Sequence, residues 1–176
     1  MRLIDLAKTL YRDGQLDAAE ETASRAIDLL PEKGDQLGLC HGHRILGYIY
    51  NFKGKTENAI HHLEVSLGIA SSLNSDSELC SVHYALARVL AKGGRFNDAH
   101  AHVEHAKSHA VNDKYFLACV SGLQARFWKH QRRLEEAKYE ALRVLDMFEE
   151  LGATNDAEEI RRFLGKIDGM LKEMDN

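Results

Sequence analysis

The chain has 176 residues, enough to bury a sizeable core in one or two domains. Hydrophobic residues make up 44% and charged residues 28%, an ordinary globular composition, and the net charge of −4 gives no global pull toward nucleic acid or anionic membrane. No apolar run approaches the roughly 20 residues of a membrane helix, and MRLIDLAKTLYRDG lacks the apolar core and small-residue cleavage site of a secretory leader.

Three cysteines, Cys40, Cys80 and Cys119, form no CxxC pair. An odd count without a leader predicts free thiols and a cytoplasmic setting. Pro31 is the single proline. A chain so poor in proline can be helical almost throughout.

Internal self-similarity decides the architecture. In chain order, LAKTLYRDGQLDAAEETASRAIDLLP, LGYIYNFKGKTENAIHHLEVSLGIAS and LARVLAKGGRFNDAHAHVEHAKSHAV align at a spacing of 40 residues, with Gly14, Gly54 and Gly94 in register and Ala19, Ala59 and Ala99 likewise. A fourth copy, QARFWKHQRRLEEAKYEALRVLDMFE, follows 38 residues later with Ala137 in register. Each copy reads as helix, tight turn, helix. The glycines suit a left-handed residue closing the first helix. Arg132 stands there in the fourth copy, which predicts a different turn. Ser75 with Glu78, and Asn155 with Glu158, have capping-box spacing. Asp17, Glu57, Asp98 and Glu135 fall near the starts of the second helices, where the dipole favours negative charge.

The copies resemble the tetratricopeptide repeat, whose pattern is W-x2-L-G-x2-Y, then A-x3-F, then P. The Leu-Gly step is Leu6-Ala7, Leu46-Gly47, Leu86-Ala87 and Gln124-Ala125, and the tyrosine position holds Leu10, Tyr50, Leu90 and Trp128. The second-helix pair is Ala19/Ala23, Ala59/Leu63, Ala99/Val103 and Ala137/Ala141. The terminal proline survives only as Pro31, and the leading tryptophan is replaced by Leu3, His43, His83 and Ser121. Eight positions at the predicted helix crossings are Ala or Gly, as close helix approach demands. The period near 40, against about 34 in the standard repeat, implies longer helices, as in kinesin light chains, peptide-sensing bacterial regulators and fungal NB-ARC-type receptors.

The resemblance implies an all-α, right-handed superhelical solenoid of four helix pairs (about 1–33, 34–73, 74–112 and 113–151) with a capping helix over 152–176. In that last segment Ile160, Phe163, Leu164, Ile167 and Leu171 share one helical face. The first helix is shorter than its later counterparts, which is expected either of a fragment cut near the start of an array or of a naturally short first helix.

The histidines His100, His102, His105 and His109 lie on one predicted second helix, with His105 and His109 at the i, i+4 spacing of a helical metal pair and His62 the repeat equivalent of His102. Zinc or nickel binding there is a remote alternative to a solvated outer face. No metal or cofactor is expected. No nucleophile elbow, phosphate loop, HExxH or GxGxxG occurs, so no enzymatic activity is expected. Cys40 and Cys80 occupy equivalent places in neighbouring repeats, too far apart for a disulfide, and read as packing residues.

In repeats of this kind the first helices line a groove that binds a protein or peptide. The resemblance carries the groove positions over to Lys8, Tyr11, Arg12, Arg44, Tyr48, Asn51, Phe52, Tyr84, Arg88, Lys92, Arg126 and Lys129. His41, Ser81, Cys119, Gly122 and His130 fall in the same register. The seven Lys and Arg residues of this set face no Asp or Glu within it. The first helices carry net +4, the second helices −6 and the tail −2. The expected function is a protein-interaction scaffold with a basic groove for an acidic or phosphorylated partner, as a module of a larger protein. Self-association within a receptor-type assembly is the alternative. The lysine/asparagine clamp for terminal carboxylates would fall on Ile4, Lys8, Ile45, Ser81 and Ala85, where only Lys8 fits.

Overall fold

A computed structural model of the chain describes residues 3–30, 34–110 and 112–174. Pro31 lies outside the described residues. These hold nine α-helices and no strand: α1 Leu3–Arg12, α2 Leu16–Leu29, α3 Gln36–Phe52, α4 Thr56–Ser72, α5 Asp76–Lys92, α6 Phe96–His109, α7 Lys114–His130, α8 Leu134–Glu150 and α9 Thr154–Met174. No helix among them is long and apolar enough to cross a membrane. The chain divides into two compact units, Met1–Ala99 and His100–Asn176, the boundary falling within α6.

First and second helices start by different devices. Asp35, Ser75 and Asp113 accept hydrogen bonds from the backbone N–H of Gly38, Glu78 and Phe116, capping α3, α5 and α7. Helices α2, α4 and α8 follow Gln15, Lys55 and Arg133 with no side-chain cap. They emerge from a tight turn whose backbone is already bonded. Lys55 N–H donates to Tyr50 O and Arg95 N–H to Leu90 O, both at 2.9 Å, the six-to-one bond of a Schellman turn. That geometry needs a left-handed residue, and Gly14, Gly54 and Gly94 supply it at φ +76, +74 and +77. The expectation of a different fourth turn is wrong. Arg132 takes φ 61, and Arg133 N–H donates to Trp128 O at 2.9 Å as in the other copies. The hydrogen-bonded turn overrides the side-chain strain. The capping box at Asn155 is also not formed: α9 begins at Thr154, so Asn155 is already helical.

Close helix approach is visible where α3 meets α4 in the first unit. A Cβ on Gly47 would lie 2.6 Å from Leu63 Cγ, so the missing methyl is the space that Leu63 fills. Ala59, across the same crossing, is completely buried. Similarly, a Cβ on Gly42 would stand 2.8 Å from Ile27 Cγ1 and 3.1 Å from Ile4 Cδ1, where α3 packs on α2 and α1. Ile4, Ala7, Ala19, Ala23, Ala26, Ile45, Leu46 and Ile49 form a continuous core there. In the second unit α9 lays Ala157, Ile160, Phe163, Leu164 and Ile167 against α7 and α8, with Leu171 at the margin. Cys40 and Cys80 are buried packing residues, and all three cysteines are free. Burial pushes the Cys119 thiol up to about 11, which makes it a poor nucleophile at neutral pH.

Candidate functional site

Helices α1, α3 and α5 line a depression of about 400 Å³ in the first unit, bordered by Lys8, Tyr11, Arg12, His41, Arg44, Tyr48 and Arg88, with Ile4, Asp5 and Ile45. Three first helices, 40 residues apart in sequence, thus bring six of the expected groove residues around one concavity. Tyr11 and Tyr48 stack across it with ring centroids 6.1 Å apart. Lys8 and Arg12 are exposed. Neither makes an ion pair among the described residues. Arg88 is exposed and places its guanidinium 5.7 Å from the centre of the Tyr84 ring, a cation–π arrangement.

The remaining cation is already engaged. Glu78, from the first turn of α5, pairs with Arg44 at 2.9 Å and with His41 at 3.1 Å. The hydrogen bond from His41, then the charge of Arg44, holds the Glu78 carboxyl below its ordinary range. The sequence reading treated Glu78 only as a capping-box residue. The signal that it faces the groove was its register, one turn before Ser81, itself a groove position. Burial raises the Tyr48 phenol above its usual value.

The same rim continues toward the C-terminal ends of α3 and α5. Lys92 Nζ donates to the Asn51 carbonyl oxygen at 2.6 Å, while the Asn51 side-chain oxygen is buried with no hydrogen-bond partner among the described residues. Phe52 is 67% exposed, an aromatic surface with little cover from its own chain.

The fourth-copy positions are placed differently. Arg126 pairs with Glu159 of α9 at 2.7 Å and lies 5.5 Å from the centre of the Phe163 ring, over which Lys129 also sits at 5.8 Å. A Cβ on Gly122 would be in ordinary contact with Ile160. Helix α9 therefore occupies the side of α7 that register alone assigns to a partner. The sequence shows α9 as an apolar stripe flanked by charge, and nothing in its spacing says that Glu159 meets Arg126.

The α6 histidines do not converge on a metal. Among the described residues no three His, Cys, Asp or Glu side chains stand close enough to hold one. His105 is exposed as expected, but His102 is half-buried. His100 Nδ1 is 2.9 Å from Oε1 of the buried Gln124, the polar residue that replaces leucine at this step of the repeat.

A denser imidazole cluster lies between α3 and α4. His43 Nδ1 and His62 Nδ1 are 3.0 Å apart, so one donates and the other accepts. The His62 ring stacks on Tyr50 at 5.3 Å, and Tyr50 donates its hydroxyl proton to Glu20 of α2, which also binds Lys53. Burial first, then His43 and His61, depress His62 to about 4. Burial and His61 lower His43 as well.

No known protein family and no curated protein matches the sequence. Solved structures do match the fold. BtubC (BKLC) from P. vanneervenii superposes with a TM-score of 0.71 at 16% identity, over 95% of this chain and 78% of that one. A kinesin light chain-like protein of Podosopora anserina with nearly identical TPR-like repeats matches with a TM-score of 0.68 at 16% identity, over 97% of this chain and 95% of that one. The apo form of RapI gives 0.63 at 18%, over 95% and 67%. The fold is that of TPR-like helical repeats.

Proposed function

We propose that the chain is a protein-interaction scaffold whose α1–α3–α5 face holds an extended acidic segment of a partner protein. The observation that carries this is the gathering of Lys8, Arg12, Arg44 and Arg88 around Tyr11 and Tyr48 in one depression. A concave surface with an excess of one sign focuses its field and speeds capture of an oppositely charged ligand. Arginine can also grip a carboxylate with two hydrogen bonds. The exposed Phe52 extends the surface for an apolar anchor. The three free thiols fit a cytoplasmic setting.

A pull-down followed by mass spectrometry identifies the partner, and charge reversal then tests the face. Arg88→Glu is expected to slow association, more at low salt than at high salt. Arg126→Glu should matter less, because Glu159 already neutralises Arg126. Unchanged binding of Arg88→Glu in both salts, with the helical signal intact, would refute the assignment.

Self-association is the second reading, favoured by one observation. Leu29 and Leu37, each 45% exposed, border an apolar depression of about 430 Å³ with Leu3, Leu30 and Ala26. Sedimentation decides: a monomer at micromolar concentration disfavours it.

A further inference from the structure

We infer that the α1–α3–α5 depression recognises a phosphomonoester carried on an extended peptide. The inference rests on the reading above and narrows its acidic partner to one chemical class. Charge makes the selection. Lys8, Arg12, Arg44 and Arg88 bring four positive charges, while Asp5 on the rim and Glu78 behind Arg44 bring two negative ones. Among these six lysine, arginine and carboxylate charges, two positive charges are left unmatched. A single carboxylate supplies one negative charge, whereas a phosphomonoester at neutral pH carries about −1.5 to −2.

The donors have the matching geometry in kind. Arg88 is a planar fork with no carboxylate partner among the described residues, Lys8 is a compact ammonium, and the Tyr48 hydroxyl is a neutral donor. Three oxygens set around one phosphorus face donors on three sides, whereas the two oxygens of a carboxylate lie in one plane, so the phosphate suits three donors that converge from different directions. Arg44 is held in place by Glu78 and contributes mainly its field. The depression, at about 400 Å³, is far larger than a phosphate ion needs and falls in the range of ligand clefts. Its stacked Tyr11 and Tyr48 offer an apolar floor to the chain bearing the ester.

The test uses the full chain and two fluorescent peptide pools with mixed flanking residues, one centred on phosphoserine and one on glutamate, with inorganic phosphate as a third probe. Anisotropy at neutral pH is expected to show the phosphoserine pool binding about tenfold or more tightly than the glutamate pool, and inorganic phosphate much more weakly than either. Arg88→Ala should weaken the phosphoserine pool by about tenfold or more, Arg88→Lys should recover only part, and Arg25→Ala, on the exposed face of α2, should change nothing. Equal affinity for the two pools would overturn the phosphate inference while leaving the acidic-segment reading in place. No binding of either pool would overturn both. Inorganic phosphate binding as tightly as the peptides would overturn the peptide-borne part of the claim.

Discussion

Substituting Gly47 by alanine sets two effects of known sign against each other. In a helix interior the change is intrinsically favourable by about 1 kcal/mol, since glycine loses more backbone entropy. At this position, however, the new Cβ would stand 2.6 Å from Leu63 Cγ and 2.7 Å from Leu63 Cδ2. Carbon atoms in contact prefer about 3.5–4.0 Å, so roughly 1 Å must be found. Leu63 is completely buried, and the clashing Cγ is a branch point, not a free end, so the helices themselves must part. Overpacking of this kind costs about 1–3 kcal/mol, and the net expectation is a loss of about 1–2 kcal/mol. Leu63→Ala alone should cost about 2–5 kcal/mol through its cavity. In that background Gly47→Ala should reverse sign and stabilise by about 1 kcal/mol, because the methyl then enters empty space. The first and fourth copies already carry this combination, as Ala7 with Ala23 and Ala125 with Ala141. Urea denaturation of the two single variants and the double variant measures the coupling directly. If Gly47→Ala stabilises the protein while Leu63 is present, the close approach of α3 and α4 is not what excludes a side chain there.

The fourth turn yields a stabilising change: Arg132→Gly should add about 1 kcal/mol by relieving a left-handed residue at φ 61, and an unchanged urea midpoint would show that the turn bears no strain. Gly122→Ala should also stabilise, by about 0.5–1 kcal/mol, since its Cβ would meet Val144 at an ordinary 3.7 Å; a lower melting temperature would contradict the packing of α7 described above. Acid should weaken the first unit through His43 and His62. Their folded values lie below the unfolded 6.5, so the unfolded chain binds more protons and stability falls as pH drops from 6.5 toward about 4. The depression of His62 alone corresponds to about 3 kcal/mol if fully buried, and to about 1–2 kcal/mol once solvent reaching the half-buried ring is allowed for. A His43→Gln/His62→Gln variant should lose most of that slope between about pH 6.5 and 4.5, and an identical slope would place the acid sensitivity elsewhere.

The fold was legible in the sequence because a repeat states its architecture several times over. The spacing of Gly14, Gly54 and Gly94, the small residues at the crossings, and the apolar stripe of the last helix each follow from local rules of helix termination and close packing. Register also groups Lys8, Arg12, Arg44 and Arg88, which border one depression. What register cannot express is contact between elements of different kinds. The neutralisation of Arg44 by Glu78, the covering of Arg126 and Lys129 by Glu159 and Phe163 of α9, and the pairing of His43 with His62 all depend on how side chains from different helices meet. The left-handed Arg132 shows the same division. Its identity argued for a different turn, but the hydrogen bond from Arg133 to Trp128 and the packing of α7 on α8 impose the common one. Local chemistry therefore determined the elements and their order, and tertiary packing decided which of the basic residues are neutralised within the chain and which stay exposed.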